Sequence, residues 1–273
     1  MTAEAVAVAV TLVLAWLGAV VVPPAFVAVG LGRANFEGRL VPTACGILLL
    51  PAAVAPATAL SLMYGSFVPH EALFIGTALY FALLGLVDDI WGSRSVRGLK
   101  GHLRMLMRGS VTTGAVKAVG GSVGALAVGF AVQHRNVQEA LLNALLVAMC
   151  ANALNLLDTR PARAGTAYVL FTIPLLVLWP RGVTAPALPA LLLAAVLAYL
   201  PAERRRRAMM GDAGSNMLGA VLGLYCAVVL SVPAKIGVGA ALVWLHAYTE
   251  KHSLTEAIEK RPLLAWLDHA LRG

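Results

Sequence analysis

Apolar positions run along this chain in long blocks, and polar positions gather in short clusters between them. Crossing a bilayer core takes about twenty mostly apolar residues. Nine stretches qualify: 5–29, 43–64, 71–89, 113–132, 138–157, 165–179, 184–200, 212–232 and 235–249. None alternates apolar and polar residues as a barrel strand would. A spanning backbone must satisfy its own hydrogen bonds, so each stretch is predicted to be helical. The expected fold is therefore all-α: a polytopic bundle of about nine transmembrane helices over residues 1–250. The sixth and seventh stretches are short, and Pro180-Arg-Gly-Val-Thr-Ala-Pro186 between them reads as a turn. The chain opens Met1-Thr-Ala-Glu4, with no basic residue before the first apolar run, so that run is read as a retained span.

The clusters between the blocks differ in kind. Gly32-Arg-Ala-Asn35-Phe-Glu-Gly38-Arg39-Leu-Val-Pro42 reads as an ordered turn, and residues 90–110 form the longest basic loop. Within that loop, Leu99 to Arg108 suits an anionic leaflet. Residues 251–273 form a tail. Ser253-Leu-Thr-Glu256 is a capping-box pattern that opens a short helix. Beyond Pro262, Leu263 to Leu271 with Trp266 is expected to lie along the membrane interface.

Composition narrows the class. The chain is 60% hydrophobic and 12% charged, against about 25% charged in soluble domains. A water-soluble core is excluded. The net charge of +8 could suggest nucleic acid, but the basic residues form no continuous patch and have no aromatic interleaving. They sort instead by side. Alternate loops, with Lys117 just inside the fourth span, hold 18 of the 21 basic residues; the other side has Arg135, Arg181 and Lys235. The positive-inside rule then puts the N-terminus outside and the C-terminus in the cytoplasm. Cys45, Cys150 and Cys226 lie in apolar runs without metal or disulfide spacing and read as small buried hydrophobes. Gly120, Gly121, Gly124, Gly129, Gly219 and Gly223 allow close helix approach.

Candidate chemistry lies at the cytoplasmic ends of the spans. Asp88-Asp89, Asn152-x-x-Asn155-x-x-Asp158, Gly211-Asp212-Ala-Gly-Ser215 and Lys117 share one predicted depth and side. Ionised groups at a membrane edge are costly and tend to be functional. Crowded carboxylates repel unless a cation neutralises them, and oxygen ligands favour Mg²⁺, with Mn²⁺ the alternative. Lys117 would hold a phosphate as a point charge. The chemistry expected is phosphoryl transfer from a cytosolic donor to a lipid acceptor. Asn152, Asn155 and Asp158 are spaced to share roughly one helical face. The small residues after Gly211 would leave helix N-terminal amides open to an anion. Plainer readings stay open: interhelical glue for Asn152, a helix cap for Asp212, a snorkelling anchor for Lys117, a solvated helix end for Asp88-Asp89, and lipid contact for Arg204–Arg207.

The order of these clusters resembles the polyprenyl-phosphate N-acetylhexosamine-1-phosphate transferase superfamily. Val87-Asp88-Asp89, Lys117, Asn152-x-x-Asn155-x-x-Asp158 and Met210-Gly-Asp212-Ala-Gly-Ser215 carry the resemblance, with Asn35-x-x-Gly38-Arg39 and Pro42 in the first cytoplasmic loop. The resemblance implies that polyprenyl phosphate attacks the β-phosphate of a UDP-sugar, releasing UMP. It implies a multi-pass protein of the bacterial cytoplasmic membrane, its site facing the cytoplasm, and a homodimer. It implies Mg²⁺ at Asp212 with Asn155; Asp88 as base or nucleophile; Asp89 and Asp158 completing the acidic cluster; and Lys117, Asn152, Asn155, Gly211, Ser215, Arg160 and Met209 as substrate contacts. The chain departs from the family where donor is read. Thr159-Arg160-Pro161-Ala162 follows Asp158 in place of Gly-x-Asp-Gly, Met209 stands where an aromatic is usual, and Thr249-Glu-Lys-His252 replaces a His-rich loop. Two other classes compete. A cation-coupled transporter predicts charges at the midplane and inverted repeats, which are absent from the sequence. A polyprenyl-phosphate-binding scaffold without turnover is kept open by the altered loop.

Overall fold

A computed structural model describes residues 2–35, 37–64, 69–92, 113–179 and 186–272. The basic loop expectations at Arg94, Arg97, Lys100, Arg104 and Arg108, and most of the Pro180–Pro186 turn, lie outside the described residues. The elements are α1 (Ala3–Val21), α2 (Pro23–Ala28), β1 (Gly32–Ala34), β2 (Leu40–Pro42), a 3-10 turn (Cys45–Leu48) leading into α3 (Leu49–Met63), and α4 (Pro69–Trp91). There follow α5 (Thr113–Val132), α6 (Val137–Leu157), α7 (Arg163–Leu178), α8 (Ala187–Arg204), α9 (Gly211–Val229), α10 (Val232–Thr249), α11 (Leu254–Glu259) and α12 (Pro262–Arg272).

Among the described residues, seven helices are long and apolar enough to cross a membrane: α1, the 3-10 turn with α3, α4, α5, α6, α8 and α9. The sixth and ninth expected spans are also helices, α7 and α10, but α7 has only 16 residues and neither is among the seven. The first expected span is interrupted. Pro23 and Pro24 cannot continue the hydrogen-bond ladder of α1, so a short second helix starts there. A two-stranded departure from the all-α expectation sits at residues 32–42, where β1 and β2 pair antiparallel. Asn35 Oδ1 accepts the Glu37 and Arg39 N–H groups at 2.9 and 3.0 Å, closing that hairpin.

At the centre is α9. Of its apolar span 83% is buried, against 22% for α1 and α5. It packs chiefly on α4 and α6. Gly219 and Gly223 permit this, because a methyl group at either would strike the α6 backbone at Cys150–Ala151 or Leu146–Val147. Cys150 and Cys226 meet across the same seam as free, buried thiols. The tail folds back onto the bundle. The Ser253 side chain caps α11 through Glu256 N–H at 3.4 Å, and Asp268 takes a bidentate ion pair from Arg163 at 2.5 and 2.8 Å. Thr255 Oγ accepts a third bond from that guanidinium at 3.0 Å. Leu263 and Trp266 stay exposed on the outer face of α12.

Candidate active site

Gly85 makes the site possible. A side chain there would overlap the Asp212 carbonyl, so only glycine lets the last turns of α4 lie against the first turn of α9. Asp88 and Asp89 follow directly. Asp89 turns to α9: its Oδ1 accepts the Asp212 N–H at 3.1 Å and its Oδ2 the Ala213 N–H at 2.9 Å. Asp158, at the C-cap of α6, faces the Gly211 N–H. Two carboxylates from other helices thus cap the start of α9, where its dipole favours negative charge. This corrects the expectation that those amides are open to a ligand. Gly211 itself has φ +72 and lies against Ala44 and the Asp89 carboxylate, so its role is to let the chain turn there.

Asp88 is left over from this capping. It faces Lys117 from α5, whose Nζ lies 3.6 Å from Asp88 Oδ2 and also pairs with Asp212 Oδ2. The Thr113 hydroxyl bonds Asp88 as well. Asn155 completes the group. With its nitrogen toward Asp212, it donates to Asp212 Oδ1 at 2.9 Å and to Ser215 Oγ at 3.1 Å, and its oxygen accepts from Lys117 Nζ at 2.9 Å. Ser215 Oγ donates in turn to the Gly211 carbonyl at 3.0 Å. Four helices therefore bring Asp88, Lys117, Asn155 and Asp212 into one hydrogen-bonded cluster. The snorkelling reading of Lys117 gives way, because its ammonium is drawn inward between two carboxylates.

Other expected contacts lie elsewhere. Asn152 is exposed and outside the cluster. A residue three positions along an α-helix is rotated by about 60° from alignment, so Asn152 and Asp158 diverge by about 120° across the set. Arg160 Nη2 lies 4.0 Å from Glu259 of α11, toward the tail. Met209 serves through its backbone: its N–H donates to the Pro42 carbonyl at 2.8 Å and its carbonyl accepts from Cys45 N–H at 3.0 Å.

Two residues here were not singled out by sequence. Buried Glu203 accepts the Met210 N–H at 3.2 Å and faces the Ala162 amide, joining the turns before α7 and α9. Its signal was an acid immediately before a run of four arginines at a span end. Arg33, from β1, donates to the Asp89 carbonyl at 3.2 Å and ties the hairpin to the site. Burial raises the Asp158 carboxyl well above the usual carboxylate range, and the nearby Glu203, Asp212 and Asp89 push the same way, while the Gly211 amide opposes them.

The profile of glycosyl transferase family 4 matches residues 72–231. That range is more than half the chain and takes in Asp88, Lys117, Asn155, Asp158 and Asp212. The chain belongs to this family. It is thereby a member of the polyprenyl-phosphate hexosamine-1-phosphate transferase superfamily, whose members are membrane enzymes moving a sugar-phosphate from a nucleotide-sugar to a polyprenyl-phosphate lipid. No curated protein matches the chain. The cluster lies where α4, α5, α6 and α9 have their ends on one edge of an apolar bundle.

The oxygen donors also bear on a metal. Among the described residues, no three His, Cys, Asp or Glu side chains are arranged to hold one. Asp88 and Asp212 face each other with Lys117 between them. Magnesium is commonly held by one or two carboxylates plus substrate phosphates, and an all-oxygen pair of aspartates beside an asparagine fits that mode.

Proposed function

We propose that this protein transfers a sugar-1-phosphate from a UDP-sugar, in the N-acetylhexosamine class, to polyprenyl phosphate. A lipid phosphate oxygen attacks the β-phosphorus of the donor. The bond from that phosphorus to the α–β bridging oxygen breaks, UMP leaves with the electron pair, and polyprenyl-diphospho-sugar remains. The observation that carries this reading is the Asp88–Lys117–Asp212–Asn155 cluster, which joins two facing carboxylates, a cation and an amide at one bundle edge. By the positive-inside argument this edge faces the cytoplasm.

Each residue has a role in the proposal. Asp88 takes a proton from the lipid phosphate or orients it for attack. Lys117 turns from the aspartates to a donor phosphate and offsets charge as the diphosphate is split. Asp212 and the Asn155 oxygen, which accepts from Lys117 in the cluster, would hold Mg²⁺. The bound ion supplies charge neutralisation of the diphosphate. Asp89 and Asp158 act through α9, which they fix in place. Their role is positioning.

The test uses purified full-length protein in detergent with Mg²⁺, undecaprenyl phosphate and a panel of UDP-sugars. The reading predicts UMP release with one or more sugars, lost on chelation and in Asp212→Asn. A second reading, a scaffold that binds the lipid without turnover, draws on Pro161, which stands where relatives carry the second aspartate. Retained lipid binding with no UMP release from any donor would favour it.

A further inference from the structure

Away from the cluster residues, α1, α2 and β2 leave a gap against the end of α8. The gap is a cavity of about 380 Å³. Trp16, Val20, Pro24, Val27 and Ala198 make one part apolar, while Arg205, Arg206 and Arg207 line the other. It continues past Pro201 into a hollow of about 470 Å³ walled by Arg39 and Arg204 as well. No residue of the Asp88–Lys117 cluster lines either.

We propose that this groove binds an acidic phospholipid of the surrounding leaflet, its chains against α1 and its phosphate among the arginines. Charge complementarity carries the choice. Five guanidinium groups line the two hollows, and among the described residues Glu37 pairs with two of them, 2.8 Å from Arg206 and 3.8 Å from Arg39. The neighbouring acid, Glu203, turns inward to Met210. An apolar slot ending in excess positive charge at a bundle edge matches an anionic amphiphile.

The backbone gives independent support. Helix α8 ends in a Schellman turn: Arg207 N–H donates to the Ala202 carbonyl at 3.0 Å and Arg206 N–H to the Glu203 carbonyl at 2.9 Å. The left-handed position of that motif normally takes glycine, yet Arg206 holds it at φ +57. Glycine would relieve the strain but remove a guanidinium from the groove. Strain kept at one residue points to a use for its side chain. A polyprenyl acceptor is the poorer occupant, because neither Asp88 nor Lys117 lines either hollow where its phosphate would be held.

The lipid also reaches the site mechanically. Leu40, Val41 and Pro42 form part of the groove wall. Pro42 anchors Met209, two residues before Gly211, and Arg33 on the paired strand holds the Asp89 carbonyl.

Native mass spectrometry of the full-length protein, given equimolar phosphatidylglycerol and phosphatidylcholine in detergent, tests this. The wild type is expected to retain phosphatidylglycerol at least fivefold over phosphatidylcholine, roughly a factor that multiple arginine contacts can supply. The double variant Arg205→Ala/Arg207→Ala should lose that preference. Ala198→Trp, which fills the apolar half without touching charge, should lower retention of the same lipid. Arg135→Ala, outside the groove, should leave retention unchanged. Equal retention of both lipids by the wild type, or an undiminished preference in both groove variants, would overturn the proposal. Displacement of phosphatidylglycerol by one equivalent of undecaprenyl phosphate would overturn the assignment to phospholipid.

Discussion

At one end of α4, Glu71 accepts the Ala187 and Leu188 N–H groups of α8; at the other end, Asp89 accepts the Asp212 and Ala213 N–H groups of α9. The device is the same, a carboxylate from one helix capping the start of another. The surroundings differ. Near Glu71 stand the rings of His70 and Trp179, 6.1 Å apart, and apolar α8. Near Asp89 stand Asp88, Lys117, Asp212 and Asn155, with Asp88 and Lys117 not needed for any cap. A buried carboxylate at a helix start is therefore a feature of how this bundle is held together. The proposed chemistry lies at the end where further charged groups remain beyond those the caps require.

The largest effect expected from breaking this contrast is in turnover. Asp88→Asn keeps the volume but removes the proposed base, and should lower UMP release by about 10²- to 10⁴-fold with little change in thermal midpoint. Next comes Gly85→Val, whose side chain would meet the Asp212 carbonyl; separating α4 from α9 should cost about 1–3 kcal/mol or more and abolish turnover, read by thermal unfolding and UMP release together. Glu71→Ala sharpens the comparison from the other end. It should lose about 1–3 kcal/mol of stability as two amides lose their acceptor, with kcat unchanged in the fraction that stays folded. The smallest effect is at Asn152→Ala, an exposed position, expected within about 0.5 kcal/mol of wild type and with normal UMP release.

Much of the fold was legible because hydrocarbon imposes one rule on every span. The seven crossing helices largely coincide with seven of the apolar blocks, and Asp88, Asp89, Asp158 and Asp212 at their ends mark one edge. Asp88, Lys117, Asn155 and Asp212 could be listed together because ionisable groups rarely sit there without cause. Their division of labour was not legible. Whether Asp88 or Asp89 caps α9 depends on the rotation of α4 against a helix 123 positions away in sequence. Asn152 lies outside the cluster because a three-residue step drifts around the helix. Glu203 was masked by Arg204–Arg207, whose charge dominates any reading of that stretch. The hairpin at 32–42 was seen as a turn but not as strands, since three-residue strands leave no alternation to find.

The contrast between a capping and a reacting carboxylate is tested most directly at the adjacent pair. Thermal midpoint and kcat for UMP release should be measured side by side for Asp88→Asn and Asp89→Ala. Asp88→Asn should keep its midpoint and lose turnover; Asp89→Ala should lose midpoint, with its residual folded fraction retaining more activity than Asp88→Asn. The reverse pattern, a silent Asp88 and an inactive but fully stable Asp89 variant, would contradict the assignment.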